Sequence, residues 1–186
     1  EKFYNADDYP TILGIAFQPG YSYIIPLGHF DSPFKKGYEK ILKYIAKELL
    51  DDPEVIKIAW NIKFEKKWFM RYGHHYVGRQ FDPMLAKYLL DEERPNDLKS
   101  IVNRFEPLHA DYEKEMDILV KKYGWAGVPL KKLAKYCALD CDLTLKLMIR
   151  FEPKLIKGDF YRLFRSEKMP LTSVLAKSEF EGIPID

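Results

Sequence analysis

The chain has 186 residues, 47% of them hydrophobic and 15% aromatic, with a formal net charge of +2. That size and apolar content suit one folded domain with a substantial core. The near-zero charge excludes a whole-molecule basic field, so any nucleic-acid footprint has to be local, at clusters such as Lys121 and Lys122 or Lys131, Lys132 and Lys135, which by themselves read as solvated helix faces.

Residues 11 to 17, "TILGIAF", and 21 to 27, "YSYIIPL", are short and rich in aromatic and branched residues, and "QPG" between them predicts a β-hairpin. Helical periodicity follows from 37 to 50 through Tyr38, Ile41, Leu42, Ile45, Ala46 and Leu49, and stops at "DDP". "VIKIAW", 55 to 60, reads as a buried strand, and a helix from Asn61 through Tyr72 ends at Gly73. A short strand near Gln80 to Asp82 leads into the helix "PMLAKYLLDE", and "NDLKSIVNRF" gives another with Asn96 as its expected cap. The span 107 to 129 is charged and helical in parts, with "YGWAGVP" as a loop; one long helix and a final one through "PLTSVLAKSEFEGIPID" complete the chain. Hairpin, helix, strand, helix, strand and then several helices imply an α/β layer fold with a mixed sheet.

Two acidic residues are out of place in this pattern. In "KYCALDCDLTLKLMIRF" the helical wheel gathers Leu133, Cys137, Leu143, Thr144 and Leu147 on one side and Lys131, Lys135 and Lys146 on the other. Asp142 falls with the lysines and reads as a solvated partner of Lys146 at i,i+4. Asp140 falls between Leu133, Leu143 and Leu147, on the face expected to enter the core. A bare carboxylate there costs several kcal/mol unless a buried Arg or Lys, a set of backbone N–H groups or a metal ion meets it. "AWNIKFEKKWFMRYG" repeats the anomaly: Phe64, Trp68, Phe69 and Tyr72 form the apolar stripe, Glu65 sits within it, and Lys63, Lys66 and Lys67 are expected to face away. Two carboxylates aimed inward from separate helices repel each other unless protonated or joined by a cation. Hard oxygen ligands without His or Cys suit Mg²⁺ or Mn²⁺.

"WNIKFE", with Asn61, Phe64 and Glu65, followed by "YCALD", with Tyr136 and Asp140, resembles the second and third motifs of the proofreading 3′-5′ exonuclease domain of family A DNA polymerases. "FDPMLAKYLLD" and "NDLKSIVNRF" resemble the stretches between those motifs, and "VLAKSEFEGIPID" resembles the junction with the polymerase domain. The resemblance implies a ribonuclease H-like fold, a mixed sheet flanked by helices. It also implies an exonuclease domain over residues 1–168 and the start of a polymerase domain over 169–186. Two divalent ions, Mg²⁺ or Mn²⁺, would hold the scissile phosphate, one activating water and the other stabilising the leaving 3′ oxygen. Asp140 and Glu65 would belong to the metal shell, and Tyr136 would orient the attacking water. Asn61, Phe64 and Lys63 would face the DNA, although Asn61 also suits a helix cap and Phe64 core packing, the uses expected from the residues alone. The implied partners are a single-stranded 3′ end of DNA and a following polymerase domain, inside a bacterial or phage-infected cell and away from any membrane. Only two cysteines, the lack of an apolar run near 20 residues and the lack of a signal peptide agree with an intracellular location, with Cys137 and Cys141 as small core residues.

The match has two departures. Glu65 stands where the family usually has Asp, and one extra methylene shifts a carboxylate by about an ångström, a misplacement that can cost about 10²-fold in rate. The family's first strand carries Asp-x-Glu, whereas here only "EKFYNADDYP" precedes the hairpin, so that strand is apparently missing from the chain. Asp7 and Asp8 lie in loop composition beside Pro10 and are not expected to replace the pair; Glu1 would be the tail of a motif upstream. The alternative reading is therefore a catalytically inactive exonuclease-like module that binds DNA or braces the polymerase. An RNA-trimming exonuclease resembling ribonuclease D shares the motifs, and "EFEGIPID" argues against it. His29, His74, His75 and His109 are expected at surface or capping positions.

Overall fold

The hairpin, the first helix and the long helix fall into place where the periodicity puts them. The computed structural model describes residues 8–106 and 112–182; Glu1, Asp7 and His109 lie outside the described residues. The described residues fall into two compact units, the first holding Glu39–Glu92 and the chain from Met148 onward, the second Tyr9–Tyr38 and the chain from Glu93 to Leu147.

The second unit opens with β1 (Ile12–Gln18) and β2 (Tyr21–Pro26), an antiparallel pair in the register Ile12 to Pro26 and Gly14 to Ile24. Gly20, at φ +84°, makes the turn that "QPG" predicts, since an L side chain rarely adopts that conformation. Its helices are α4 (Leu98–Phe105), α5 (Tyr112–Tyr123) and the part of α6 (Leu130–Lys157) up to Leu147. α4 is capped by Asp97, whose carboxylate accepts from Ser100 N–H at 2.8 Å. The cap expected at Asn96 is thus displaced by one residue, and Asn96 Oδ1 is enclosed without a hydrogen-bond partner. Met116, Val128 and Leu133 form one core cluster, with Ile12, Leu119, Val120 and Tyr136 packed on it. His29 corrects its surface reading: it is fully buried, with Nε2 donating to the Val128 carbonyl at 2.8 Å and Nδ1 accepting from Asp31 N–H at 3.1 Å. Those two partners select the Nε2–H tautomer.

In the first unit α1 (Tyr38–Ile45) continues as a wider turn over Ala46–Leu50, then β3 (Lys57–Ile58), α2 (Lys63–Arg71), β4 (Gln80–Phe81) and α3 (Pro83–Leu90) follow. The strand expected over 55 to 60 shrinks to two residues because its parallel partner offers only Gln80 and Phe81 to pair with. After the end of α6 come α7 (Tyr161–Leu163) and α8 (Met169–Glu181), and α8 packs on α2. Phe81 and Phe164, both buried, stack with ring centroids 4.7 Å apart at the centre of this unit. The described residues thus hold helices with two small sheets, one antiparallel and one parallel. Among them no helix is long and apolar enough to cross a membrane.

Candidate functional site

In the second unit the wheel reading of α6 holds for its apolar face, where Leu133, Leu143 and Leu147 are buried. Asp140 sits beside that face, half-buried. Tyr136, one turn earlier, packs on the Met116–Val128–Leu133 cluster and lies 6.0 Å from the Trp125 ring. Burial first, then the negative charges of Asp140 and Glu113 and a hydrogen bond with Asp140, push the Tyr136 phenol well above its ordinary range. It therefore remains a protonated donor at any physiological pH. Cys137 and Cys141 are free and half-buried; the hydrogen bond between the two thiols, and then burial, raise the Cys137 thiol and leave it inert. The strand above them crosses at Gly14, where a Cβ would come within 2.5 Å and 2.7 Å of the two sulfurs.

Asp142 corrects its reading as a solvated residue. It does pair with Lys146, at 2.8 Å, but it is only 8% exposed, and its other oxygen accepts the Gly20 N–H of the hairpin turn at 2.6 Å. The hairpin covers the side of α6 that the lysines were expected to keep open. Of the two aspartates, Asp142 ties α6 to the hairpin turn, and Asp140 bonds Tyr136.

In the first unit the "NIKFE" motif forms the entry to α2. Asn61 is not a side-chain cap: it takes φ +58°, and Ile62 occupies the cap position without a side-chain bond. The amides of Asn61 and Ile62 donate instead to the Asp82 carboxylate, at 3.1 Å and 3.0 Å. The same carboxylate caps α3 by accepting Met84 N–H at 2.9 Å, ahead of Pro83 at the first helical position. Asp82 thus ties the starts of two helices, and burial, opposed by those amide bonds, raises its pKa to about 6. Asp82→Ala is expected to destabilise the chain by about 2 kcal/mol, because three amide donors, one buried and two part-buried, lose their acceptor; urea unfolding with an unchanged m-value checks this.

Glu65 lies in the first turn of α2. The residue as a whole is half-buried, yet its Oε2 is shut off from solvent and has no hydrogen-bond partner. Desolvation, assisted by the charge of Asp82 and opposed by a bond to its own backbone, raises its pKa to about 8. Tyr76, beside it, is raised as well, by burial and then by Glu65. Phe64 corrects the expectation of core packing, being 47% exposed and set edge-on to Trp68 at 6.5 Å. Nor do the three lysines face away. Lys63 and Lys67 share the Glu179 carboxylate of α8, at 2.5 Å and 2.6 Å, and Lys66 is buried against the same helix.

Within each unit the structure thus brings together Tyr136 with Asp140, and Glu65 with Asp82 and Tyr76. Glu65 and Asp140 belong to different units. Among the described residues no group of three or more His, Cys, Asp or Glu side chains is placed to hold a metal ion. A hard divalent cation nevertheless fits the donors in kind: the enclosed, unpartnered Glu65 Oε2 is an oxygen acceptor whose burial a cation would offset. Asp8 is exposed, and its carbonyl accepts from Arg71. Sequence reasoning missed Asp82 and Tyr76. The Asp82–Pro83 pair carried a readable cap signal, whereas nothing in the pattern marked Tyr76.

A family model described as 3′-5′ exonuclease matches residues 2–156. Among curated relatives, DNA polymerase I of Synechocystis sp. is 30% identical over 148 residues, 78% of this chain and 15% of that protein. DNA polymerase I of Borreliella burgdorferi is 26% identical over 175 residues, 94% of this chain and 19% of that protein. The DNA polymerase of Escherichia phage T5 is 26% identical over 165 residues, 78% and 19% of the two chains. The chain spans less than a fifth of the length of each of these three relatives.

Proposed function

The chain belongs to the 3′-5′ exonuclease family, and from that premise we propose that it removes 3′-terminal nucleotides from single-stranded DNA as the proofreading part of a DNA polymerase. The observation that carries this reading is the pair on α6, a phenol held protonated and a carboxylate one turn on. Tyr136 then donates its hydrogen to Asp140, and its phenol oxygen orients water by accepting from it and takes no proton from it. Asp140 and Glu65 would each supply a carboxylate to Mg²⁺ or Mn²⁺, and the ions would supply charge neutralisation at the phosphodiester and a more acidic water. Exposed Phe64 offers a face for a terminal base, with Asn61 and Lys63 beside it along the strand. Lys63 reaches phosphate only by loosening its bond to Glu179, an exchange of one surface ion pair for another.

The same reading takes the ribonuclease H-like fold with a mixed sheet as the frame, residues 1–168 as the exonuclease domain and 169–186 as the start of a polymerase domain. The names of the relatives support it, as they support a bacterial or phage-infected cell as the setting. A second reading is a non-cutting module that binds DNA or braces the polymerase. Metal dependence separates the two. The chain is expected to release nucleotides from end-labelled single-stranded DNA in Mg²⁺ or Mn²⁺ and to stop when EDTA is added. Salt-sensitive DNA binding with no release under either metal would support the module instead.

A further inference from the structure

Among the described residues of the first unit four lysines are buried, and three of them have acceptors suited to an ammonium. Lys57 donates to the carbonyls of Asp52 and Val77, Lys87 to that of Asp91, and Lys67 to the Glu179 carboxylate. Lys66 is different. Only 2% exposed, it donates to two neutral hydroxyls of α8, Thr172 Oγ1 at 2.7 Å and Ser173 Oγ at 2.8 Å. Asp82 acts on it electrostatically, but the oxygens of that carboxylate already accept amides of Asn61, Ile62 and Met84. An ammonium has three N–H donors, so one remains unspent, and among the described residues no carboxylate bonds it directly, which is costly for a buried cation.

Lys66 and Ser173 also line a small cleft, together with Met70, His75 and Tyr76. The Thr172 hydroxyl is spent on the Met169 carbonyl, whereas the Ser173 hydroxyl accepts from Lys66 and keeps its own hydrogen to donate. The Tyr76 phenol offers a second hydroxyl. The cleft therefore presents an ammonium, two hydroxyl donors and an imidazole, and no carboxylate lines it. We propose that this cleft between α2 and α8 is a binding site for a phosphate-class oxyanion, with Lys66 and Ser173 as its donors and His75 at its mouth. A tetrahedral oxyanion supplies several acceptors at once and the missing counter-charge. This site does not depend on the nuclease reading, since none of its lining residues is assigned to the reaction.

The test follows the imidazole signals of His75 by NMR in the full 186-residue chain, assigned with His75→Gln, while inorganic phosphate is added. A saturable shift with a dissociation constant on the order of 1 mM is expected. The shift is expected to be lost in Lys66→Met and weakened roughly tenfold in Ser173→Ala, which removes one charge-assisted contact at an exposed position. A deoxynucleoside 5′-monophosphate, run in parallel, tells a free anion from a phosphoryl group on a nucleotide, and acetate tests the class. No saturable shift in the unmodified chain, equal response to acetate, or unchanged affinity in Ser173→Ala overturns the site. The last comparison decides even if Lys66→Met does not fold.

Discussion

Asp140→Ala is expected to lower 3′-nucleotide release by about 10²- to 10³-fold, the loss that follows removal of one preorganised charge from a transition state. Stability should fall by only about 1 kcal/mol, for the hydrogen bond lost to Tyr136. The side chain is half-buried beside the apolar face, Leu133, Leu143 and Leu147 remain in place, and Asp142 keeps its bonds to Lys146 and Gly20. Alanine is also the best helix former, so the backbone of α6 loses nothing. A second readout accompanies the first: without the Asp140 charge and hydrogen bond, the Tyr136 phenol should titrate at lower pH, visible in the ultraviolet tyrosinate band. Asp142→Asn serves as the contrast, since its cost should fall on folding and not on the rate of a folded chain. Nucleotide release that survives intact in Asp140→Ala would remove Asp140 from the site.

Glu65→Gln is expected to stabilise the chain in EDTA at pH 8 by about 3 kcal/mol while stopping metal-dependent release. The folded chain raises the Glu65 pKa from 4.5 to about 8. A raised carboxylate contributes its full stability below its unfolded pKa and loses it as pH climbs to the folded value, so the loss runs from about pH 4.5 to about pH 8. Across that window the unfolded chain releases the proton freely, whereas the folded chain must either keep it or bury a charge at an oxygen without a partner. The full shift would correspond to between 4 and 5 kcal/mol at about 1.36 per pH unit, and we discount it because the residue is partly exposed. Gln keeps the shape and never ionises. Urea unfolding of both proteins should therefore give curves within about 1 kcal/mol at pH 5 that separate steadily toward pH 8. Added Mg²⁺ or Mn²⁺ should raise the stability of the Glu65 protein alone, because a ligand bound only by the folded state adds to its stability. Parallel pH profiles for the two would show that burial of Glu65 carries no such cost.

Local rules in the sequence determined much of what the structure contains. Apolar spacing of 3.6 residues placed Leu133, Leu143 and Leu147 on the buried face of α6, and Gly20 and Gly73, both at positive φ, end a strand and a helix where the punctuation predicts. The resemblance of "NIKFE" and "YCALD" was legible because it rests on residue identity, and the match over residues 2–156 bears the family out. What only the tertiary structure decided is the fate of each polar side chain. Asp142 is buried because Gly20, 122 positions away, donates to it, and Lys66 because Thr172 and Ser173 cover it from a helix more than 100 positions on. Phe64 is 47% exposed, although its position on the wheel is apolar. Asn61 turns through positive φ because Asp82, 21 residues later, accepts its amide. Periodicity records which face of an element is apolar. Which elements come to lie over the polar remainder depends on contacts between residues far apart in the chain, and no local pattern encodes those.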